Sequence, residues 1–198
     1  MNKITINRGD NTLLAPNFRA SEFYSSSPNP PASHDFYMEL VEAASFLRNH
    51  FNTPWRITST MRTHAHEVKI CADFNLPPGL AWTSKHVLAQ AFDSQPAGTA
   101  ARNAEIMATL AEDFTNNGEI FQKLRTLGIK GFGLYDTFIH LDVRVGPCIH
   151  KDRFGAFACW DERHNAPKKK AVGAGTWKPT LHNTLKVEGL LKRTSLAF

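Results

Sequence analysis

Two histidines and one aspartate are spaced in a way that could bind a metal ion. His86 precedes Asp93 by seven residues, and His140 follows later in the chain, two residues before Asp142. If His140 lies on a β-strand, it points to the same face as Asp142. Catalytic zinc sites commonly take three protein ligands, imidazole nitrogens and a carboxylate oxygen, and leave a fourth position for water. His86, Asp93 and His140 would supply that set.

The composition narrows the range of partners. The three cysteines are an odd number without C-x-x-C spacing, which argues against a disulfide framework and against a thiolate zinc site. The formal net charge of +5 favours an anionic partner, which could be nucleic acid or another polymer that carries carboxylates and phosphates. Basic and aromatic residues are not regularly interleaved around Lys168–Lys170, so we expect no nucleic-acid partner.

The chain length predicts one globular domain. With 198 residues and 42% hydrophobic side chains, we expect a domain over residues 1–164 and a basic C-terminal tail over residues 165–198. No apolar run approaches the roughly 18 to 20 residues that a membrane-spanning helix needs, and the N-terminus lacks the pattern of a signal peptide. We therefore expect a soluble protein that is made in the cytoplasm.

Hydrophobic periodicity predicts both helices and strands. A Pro/Ser-rich loop over residues 25–33 precedes an amphipathic helix that is capped by Asp35. The predicted helices cover residues 35–50, 65–74, 99–114 and 119–127. The predicted strands cover residues 55–60, 131–135 and 138–144, with 154–160 as a further candidate. This pattern indicates an α+β domain with a small, mainly antiparallel sheet and helices packed on one face.

Several motifs together resemble the M15 family of zinc peptidases, which includes D-alanyl-D-alanine carboxypeptidases and phage L-alanyl-D-glutamate endopeptidases. The motifs are S-x-H-x-x-x-x-A-x-D over residues 84–93, ITSTMR over 57–62, GFGLY over 131–135 and FIHLDVR over 138–144. The segment NFRASEF over residues 17–23 is similar to the beginning of one branch of the family. The resemblance covers about residues 17–144.

The resemblance implies a zinc site in an open cleft and a role for each matched residue. It makes His86, Asp93 and His140 the zinc ligands and Arg62 the cation that stabilises the substrate carbonyl as it becomes an oxyanion. Ser84 is a candidate for a hydrogen bond beside the metal. Tyr135, together with Trp82 and Trp160, is either part of a substrate groove or part of the core.

The identity of the general base stays open. Several family members have an acid three residues before the last histidine, where this chain has Thr137. Asp136 and Asp142 are the candidates, and strand alternation would place both on the face that carries His140, with a turn as the alternative position for Asp136. Asp142 could instead orient a ligand imidazole.

The function implied by the resemblance is hydrolysis of an amide bond in the stem or cross-link peptides of peptidoglycan, in cell-wall lysis or remodelling. Without a signal peptide, such an enzyme would need a delivery partner, for example a holin or a virion, to reach the wall. The alternative is a non-catalytic, metal-containing module that binds the wall or belongs to a virion. We expect the other histidines to stay outside the metal site, with His64 and His66 in a surface or loop position and His150, His164 and His182 in solvent.

Overall fold

The computed structural model describes residues 1–25, 27–144 and the backbone of 158–161. The described residues form nine strands: β1 (Lys3–Asn7), β2 (Leu13–Ala15), β3 (Phe18–Arg19), β4 (Ser33–Tyr37), β5 (Trp55–Ser59), β6 (Ala91–Pro96), β7 (Gly131–Leu134), β8 (Ile139–Asp142) and β9 (Ala158–Asp161). The α-helices are α1 (Met38–Phe51), α2 (His64–Asp73), α3 (Ala100–Asn116) and α4 (Glu119–Thr126). Two short 3-10 helices cover Ala20–Phe23 and Pro78–Thr83.

The main sheet has five strands in the order β5-β6-β8-β7-β9. All its neighbouring strands run antiparallel except β7 and β9, which are parallel. This confirms the predicted α+β class and the mainly antiparallel sheet. The predicted pair of strands after residue 130 is also confirmed, since Gly131 lies opposite Asp142 and Gly133 opposite His140.

Residue alternation gives the sheet two different faces. Phe92 on β6, Leu141 on β8 and Phe132 on β7 lie side by side across the strands and belong to the hydrophobic core. Asp93 and His140 occupy the next register position and therefore point to the opposite face. The strands thus present an apolar face to the core and a polar face that carries the candidate site.

The first helix begins later than its apolar pattern predicts. Residues 33–37 form β4, and α1 begins at Met38 after the N-cap residue Tyr37. The prediction that Asp35 caps this helix is therefore wrong, because Asp35 lies in β4 and accepts a hydrogen bond from Thr5 Oγ1. β4 is formed by antiparallel pairing with β1, a contact across about thirty residues that local periodicity does not reveal.

The other helices agree with the sequence pattern to within a few residues. The α2 helix covers the predicted segment, and Thr63 caps it by accepting a hydrogen bond from the backbone of His66. Thr99 caps α3 in the same way. Just beyond α4, Gly128 has a φ of 91°, a left-handed conformation that favours glycine after a helix.

Several expectations fall outside the described residues. They are the basic tail over 165–198 and the residues Cys148, His150, His164 and His182. Of the remaining cysteines, Cys71 is free and buried, and only the backbone of Cys159 in β9 is described. Within the described part of the chain, no helix combines the length and apolarity needed to cross a membrane.

Candidate metal centre

His86, Asp93 and His140 meet at one point on the polar face of the sheet. The His86 Nε2 and Asp93 Oδ1 atoms are 3.2 Å apart, His86 Nε2 and His140 Nδ1 are 3.2 Å apart, and His140 Nδ1 and Asp93 Oδ1 are 2.9 Å apart. A tetrahedral zinc ion with bonds of about 2.0–2.1 Å would hold its ligand atoms about 3.3 Å apart. The donor set and its spacing therefore fit a zinc ion.

Strand register brings two of the three residues together. Asp93 on β6 lies directly opposite His140 on β8, which places their side chains on the same face. His86 comes from the loop between the second 3-10 helix and β6, and its backbone carbonyl accepts a hydrogen bond from the Arg62 backbone N–H at 3.1 Å. All three side chains are buried, with 3 to 8% of each residue exposed.

Each imidazole is oriented through the ring nitrogen that does not face the cluster. His86 Nδ1 donates a hydrogen bond to the Thr60 carbonyl at 2.7 Å, which leaves Nε2 free to bind a metal. His140 Nε2 lies 3.3 Å from Asp142 Oδ2, which directs Nδ1 into the cluster. Carbonyl and carboxylate partners of this kind are typical around histidines that bind metals.

The electrostatics of the cluster favour a cation at its centre. Burial alone would raise the pKa of Asp93, but the two imidazoles outweigh burial and lower it. Burial alone would lower the pKa of His140, but the hydrogen bonds to Asp142 and Asp93 raise it to about 9. In the metal-free protein, a proton on His140 therefore supplies positive charge that the carboxylates require.

Asp142 is fully buried behind His140. Its Oδ1 lies 3.1 Å from Arg144 Nε, while its Oδ2 contacts His140 Nε2. The carboxylate also lies against Gly131 on the neighbouring strand, where a Cβ atom would come within 1.9 Å of Oδ2. This placement supports the interpretation that Asp142 orients the ligand imidazole, and it confirms that Asp142 and His140 share a face.

Arg62 contacts Asp93 through the carboxylate oxygen opposite the one that meets the imidazoles. Its Nη2 donates to Asp93 Oδ2 at 2.6 Å, Nη1 donates to Glu67 Oε2 at 3.1 Å, and Nε donates to Ser59 Oγ at 2.9 Å. The structure thus places Arg62 beside the cluster, as the resemblance implies. Glu67 and Ser59 are site residues that the sequence patterns did not identify.

A segment from the N-terminal part of the chain supports the loop that carries Arg62. Thr60 Oγ1 donates to the Tyr24 carbonyl at 3.0 Å, and Ser25 Oγ donates to the Met61 carbonyl at 2.7 Å. Ser27 Oγ accepts from the Thr63 backbone N–H at 3.0 Å. These contacts join residues more than thirty positions apart, and no spacing signal in the sequence points to them.

Three predicted site residues are less buried than the His86, Asp93 and His140 cluster. Asp136 is exposed in the turn between β7 and β8. The expectation that strand alternation places it on the His140 face is wrong, because the strand begins only at Ile139. Tyr135 is half-buried and stacks on Phe138 at 4.2 Å between ring centroids. Ser84 directly follows the second 3-10 helix as its C-cap residue, and its carbonyl accepts a hydrogen bond from the Leu88 backbone N–H at 3.2 Å.

The remaining aromatic and histidine predictions have mixed outcomes. His64 and His66 lie in the first turn of α2 and are half-buried, so their expected surface or loop position is only partly correct. His66 Nδ1 bonds Ser27 Oγ at 2.8 Å. His64 stacks on Trp82, which is 67% exposed and is therefore not part of the core.

Within the described ranges, His86, Asp93 and His140 form the one group of three or more potential metal-binding side chains with ligand atoms close together. Comparison of the chain with protein-family models, curated proteins and solved structures finds no match. The functional interpretation therefore depends on the motifs and on the geometry of this cluster.

Proposed function

We propose that the chain is a zinc-dependent peptidase that hydrolyses an amide bond in peptidoglycan stem or cross-link peptides. The observation that carries the proposal is the convergence of His86 Nε2, Asp93 Oδ1 and His140 Nδ1 within 3.2 Å, with Arg62 bonded to the other oxygen of Asp93. The resemblance of the surrounding motifs to M15 zinc peptidases supplies the substrate class.

Zinc in such a site lowers the pKa of a water ligand to about 7 and polarises a carbonyl group. The residues of the chain prepare this chemistry in distinct ways. Thr60 and Asp142 fix the two imidazoles, so that the ring nitrogens on the cluster side, His86 Nε2 and His140 Nδ1, point to a common centre. Arg62 holds Asp93 through Oδ2 and brings a guanidinium to the site, where it can stabilise negative charge on the substrate oxygen.

The proposal requires a cleft through which the peptide reaches the cluster. Asp93 and His140 are buried with 8% of each residue still exposed, and the proposed cleft would reach the cluster at this exposed part. Of the two candidate bases, Asp142 is fully buried and engaged with His140 and Arg144, which leaves it poorly placed to exchange protons with substrate. Asp136 stays a candidate base that is exposed to solvent in the turn before β8, and the identity of the base stays open.

The test is digestion of purified peptidoglycan sacculi by the zinc-loaded full chain. We expect new amino groups to be released, and we expect a chelator to stop the release and added zinc to restore it. His86→Ala should lose zinc retention and hydrolysis together, because it removes one of three ligands. His50→Ala, at an exposed histidine at the end of α1, is the matched control and should retain both.

Two results would contradict the proposal. Hydrolysis that persists in the His86→Ala variant would show that the cluster is not the catalytic centre. Zinc-dependent binding to sacculi without release of amino groups would instead indicate the non-catalytic wall-binding module. Mass spectrometry of the released fragments identifies the bond that is cut.

A further inference from the structure

Glu67 is a buried carboxylate on the first turn of α2 that no motif identified. It contacts Arg62, and the side chains of both residues are largely buried, at 10% and 15% exposed. Burying a charge is costly unless the charge is paired, and a buried ion pair seldom adds much net stability. The pair is therefore better explained by the position that it gives to the guanidinium than by the stability that it adds to α2.

Three fixed acceptors determine where the Arg62 guanidinium lies. Ser59 at the end of β5 binds Nε, Glu67 on α2 binds Nη1, and Asp93 on β6 binds Nη2. The acceptors come from three different elements, so the planar guanidinium has little freedom to rotate. If Asp93 were the only anion in contact with Arg62, the Arg62 side chain could pivot about its hydrogen bond to Asp93 or turn toward solvent.

Glu67 also balances the charge of Arg62. A guanidinium bonded to Asp93 competes with a metal ion for the same carboxylate and repels the ion. The negative charge of Glu67 offsets this repulsion, while Arg62 stays in place. Zinc binding and the orientation of Arg62 would therefore both depend on Glu67.

We infer that Glu67 is a positioning residue of the metal centre, which acts through Arg62 and holds the guanidinium against Asp93 Oδ2 with the help of Ser59. The inference rests on the proposed function in one respect, namely that the held guanidinium serves amide hydrolysis. The part that concerns zinc binding does not depend on any reaction.

The experiment compares Glu67→Ala and Glu67→Gln with Cys71→Ala in the full chain. Cys71 is buried one turn further along α2, so its truncation disturbs the packing of the same helix without removing a partner of Arg62. Two quantities are measured: the zinc dissociation constant, by competition with a chromophoric chelator, and kcat and KM on a peptidoglycan peptide at saturating zinc.

We expect Glu67→Ala to weaken zinc binding about 10-fold, at the low end for residues that support metal ligands. At saturating zinc, kcat should fall about 10- to 100-fold with KM within about 2-fold, because a misplaced guanidinium affects the transition state more than the bound substrate. Glu67→Gln keeps an acceptor for Nη1 and should recover most of kcat but little of the zinc affinity. Cys71→Ala should leave both quantities unchanged.

The inference is overturned if Glu67→Ala keeps wild-type zinc affinity and kcat, or if Cys71→Ala reproduces its losses. The latter result would mean that Glu67 only stabilises α2. If the wild-type chain binds zinc but cleaves no peptide, the proposed function fails while the inference is still decided by the zinc affinities. If Glu67→Ala does not fold, Glu67→Gln decides, since a zinc affinity equal to that of the wild type would refute the charge-balancing role.

Discussion

Gly131 offers a sharp test of how the metal centre is supported, because it provides the space that the Asp142 carboxylate occupies. A Cβ atom at Gly131 would lie 1.9 Å from Asp142 Oδ2 and 2.2 Å from its Cγ, well under the 3.0 Å below which such contacts essentially do not occur. In Gly131→Ala the carboxylate must therefore move by more than 1 Å. Asp142 is fully buried, so the carboxylate cannot relieve the clash by turning into solvent without disturbing its neighbours.

The expected cost follows from the contacts that this movement breaks. The contact between Asp142 Oδ2 and His140 Nε2 is already 3.3 Å long, and a shift of this size takes it beyond hydrogen-bonding distance. Loss of a charged hydrogen bond and local overpacking together predict a decrease in the free energy of unfolding of roughly 3 kcal/mol. Because His140 loses its orienting partner, we also expect zinc affinity to fall about 10- to 100-fold.

The assay is urea unfolding of the metal-free protein together with zinc titration, in a double-mutant cycle with Asp142→Ala. In the Asp142→Ala background the added methyl group meets no carboxylate. Gly131→Ala should therefore lower the free energy of unfolding by less than about 0.5 kcal/mol in that background. Gly79→Ala is the matched control, since a Cβ atom there meets nothing within 4 Å. Equal costs of Gly131→Ala in the two backgrounds, or unchanged zinc affinity, would refute the reasoning.

Two further predictions concern the pH dependence of the centre and the loop that carries His86. The pKa of His140 is raised to about 9 in the folded metal-free protein, above its ordinary value of 6.5, so the bound proton stabilises that protein fully below about pH 6.5. We therefore expect the free energy of unfolding of the metal-free protein to fall by up to roughly 3 kcal/mol as the pH rises through 9. Zinc affinity should rise over the same pH range. A free energy of unfolding that stays constant between pH 6 and 9 would contradict this. Ala89, in the loop that carries His86, has a φ of 53°, which is unfavourable for a residue with a Cβ atom. Ala89→Gly should therefore stabilise the chain by about 0.5–1 kcal/mol, as measured by thermal unfolding. A loss of stability would contradict this and would show that the Ala89 side chain makes a compensating contact.

Local spacing could predict one contact beside the candidate ligands, that of His140 with Asp142. His140 and Asp142 alternate on a strand whose period is two, and their contact confirms that they share a face. The convergence with His86 and Asp93 could be inferred only from the motif resemblance, since strand register is a tertiary property. The structure brings these residues together through the pairing of β6 with β8.

The supporting residues could not be predicted in the same way. Glu67, Thr60 and Ser27 act through contacts with residues that no periodic pattern links to them. One signal was available in the sequence, namely the Gly-x-Gly pattern of Gly131 and Gly133. In a strand, glycines at this spacing share one face, and β7 pairs them with Asp142 and His140. Small residues on the strand beside a candidate ligand therefore indicate where the ligand side chains need room.

The charge balance of the described residues favours a cation in this buried cluster. Among the residues that the structure describes, three carboxylates, those of Glu67, Asp93 and Asp142, are paired with two guanidiniums, those of Arg62 and Arg144. With neutral imidazoles the group would carry one uncompensated negative charge away from water, which is costly. A proton on His140 or a metal ion at His140 Nδ1 can each supply the missing positive charge, and both use the same nitrogen. If a metal binds there, proton and metal compete, so we expect the stability of the metal-free protein and its affinity for the metal to change with pH in opposite directions.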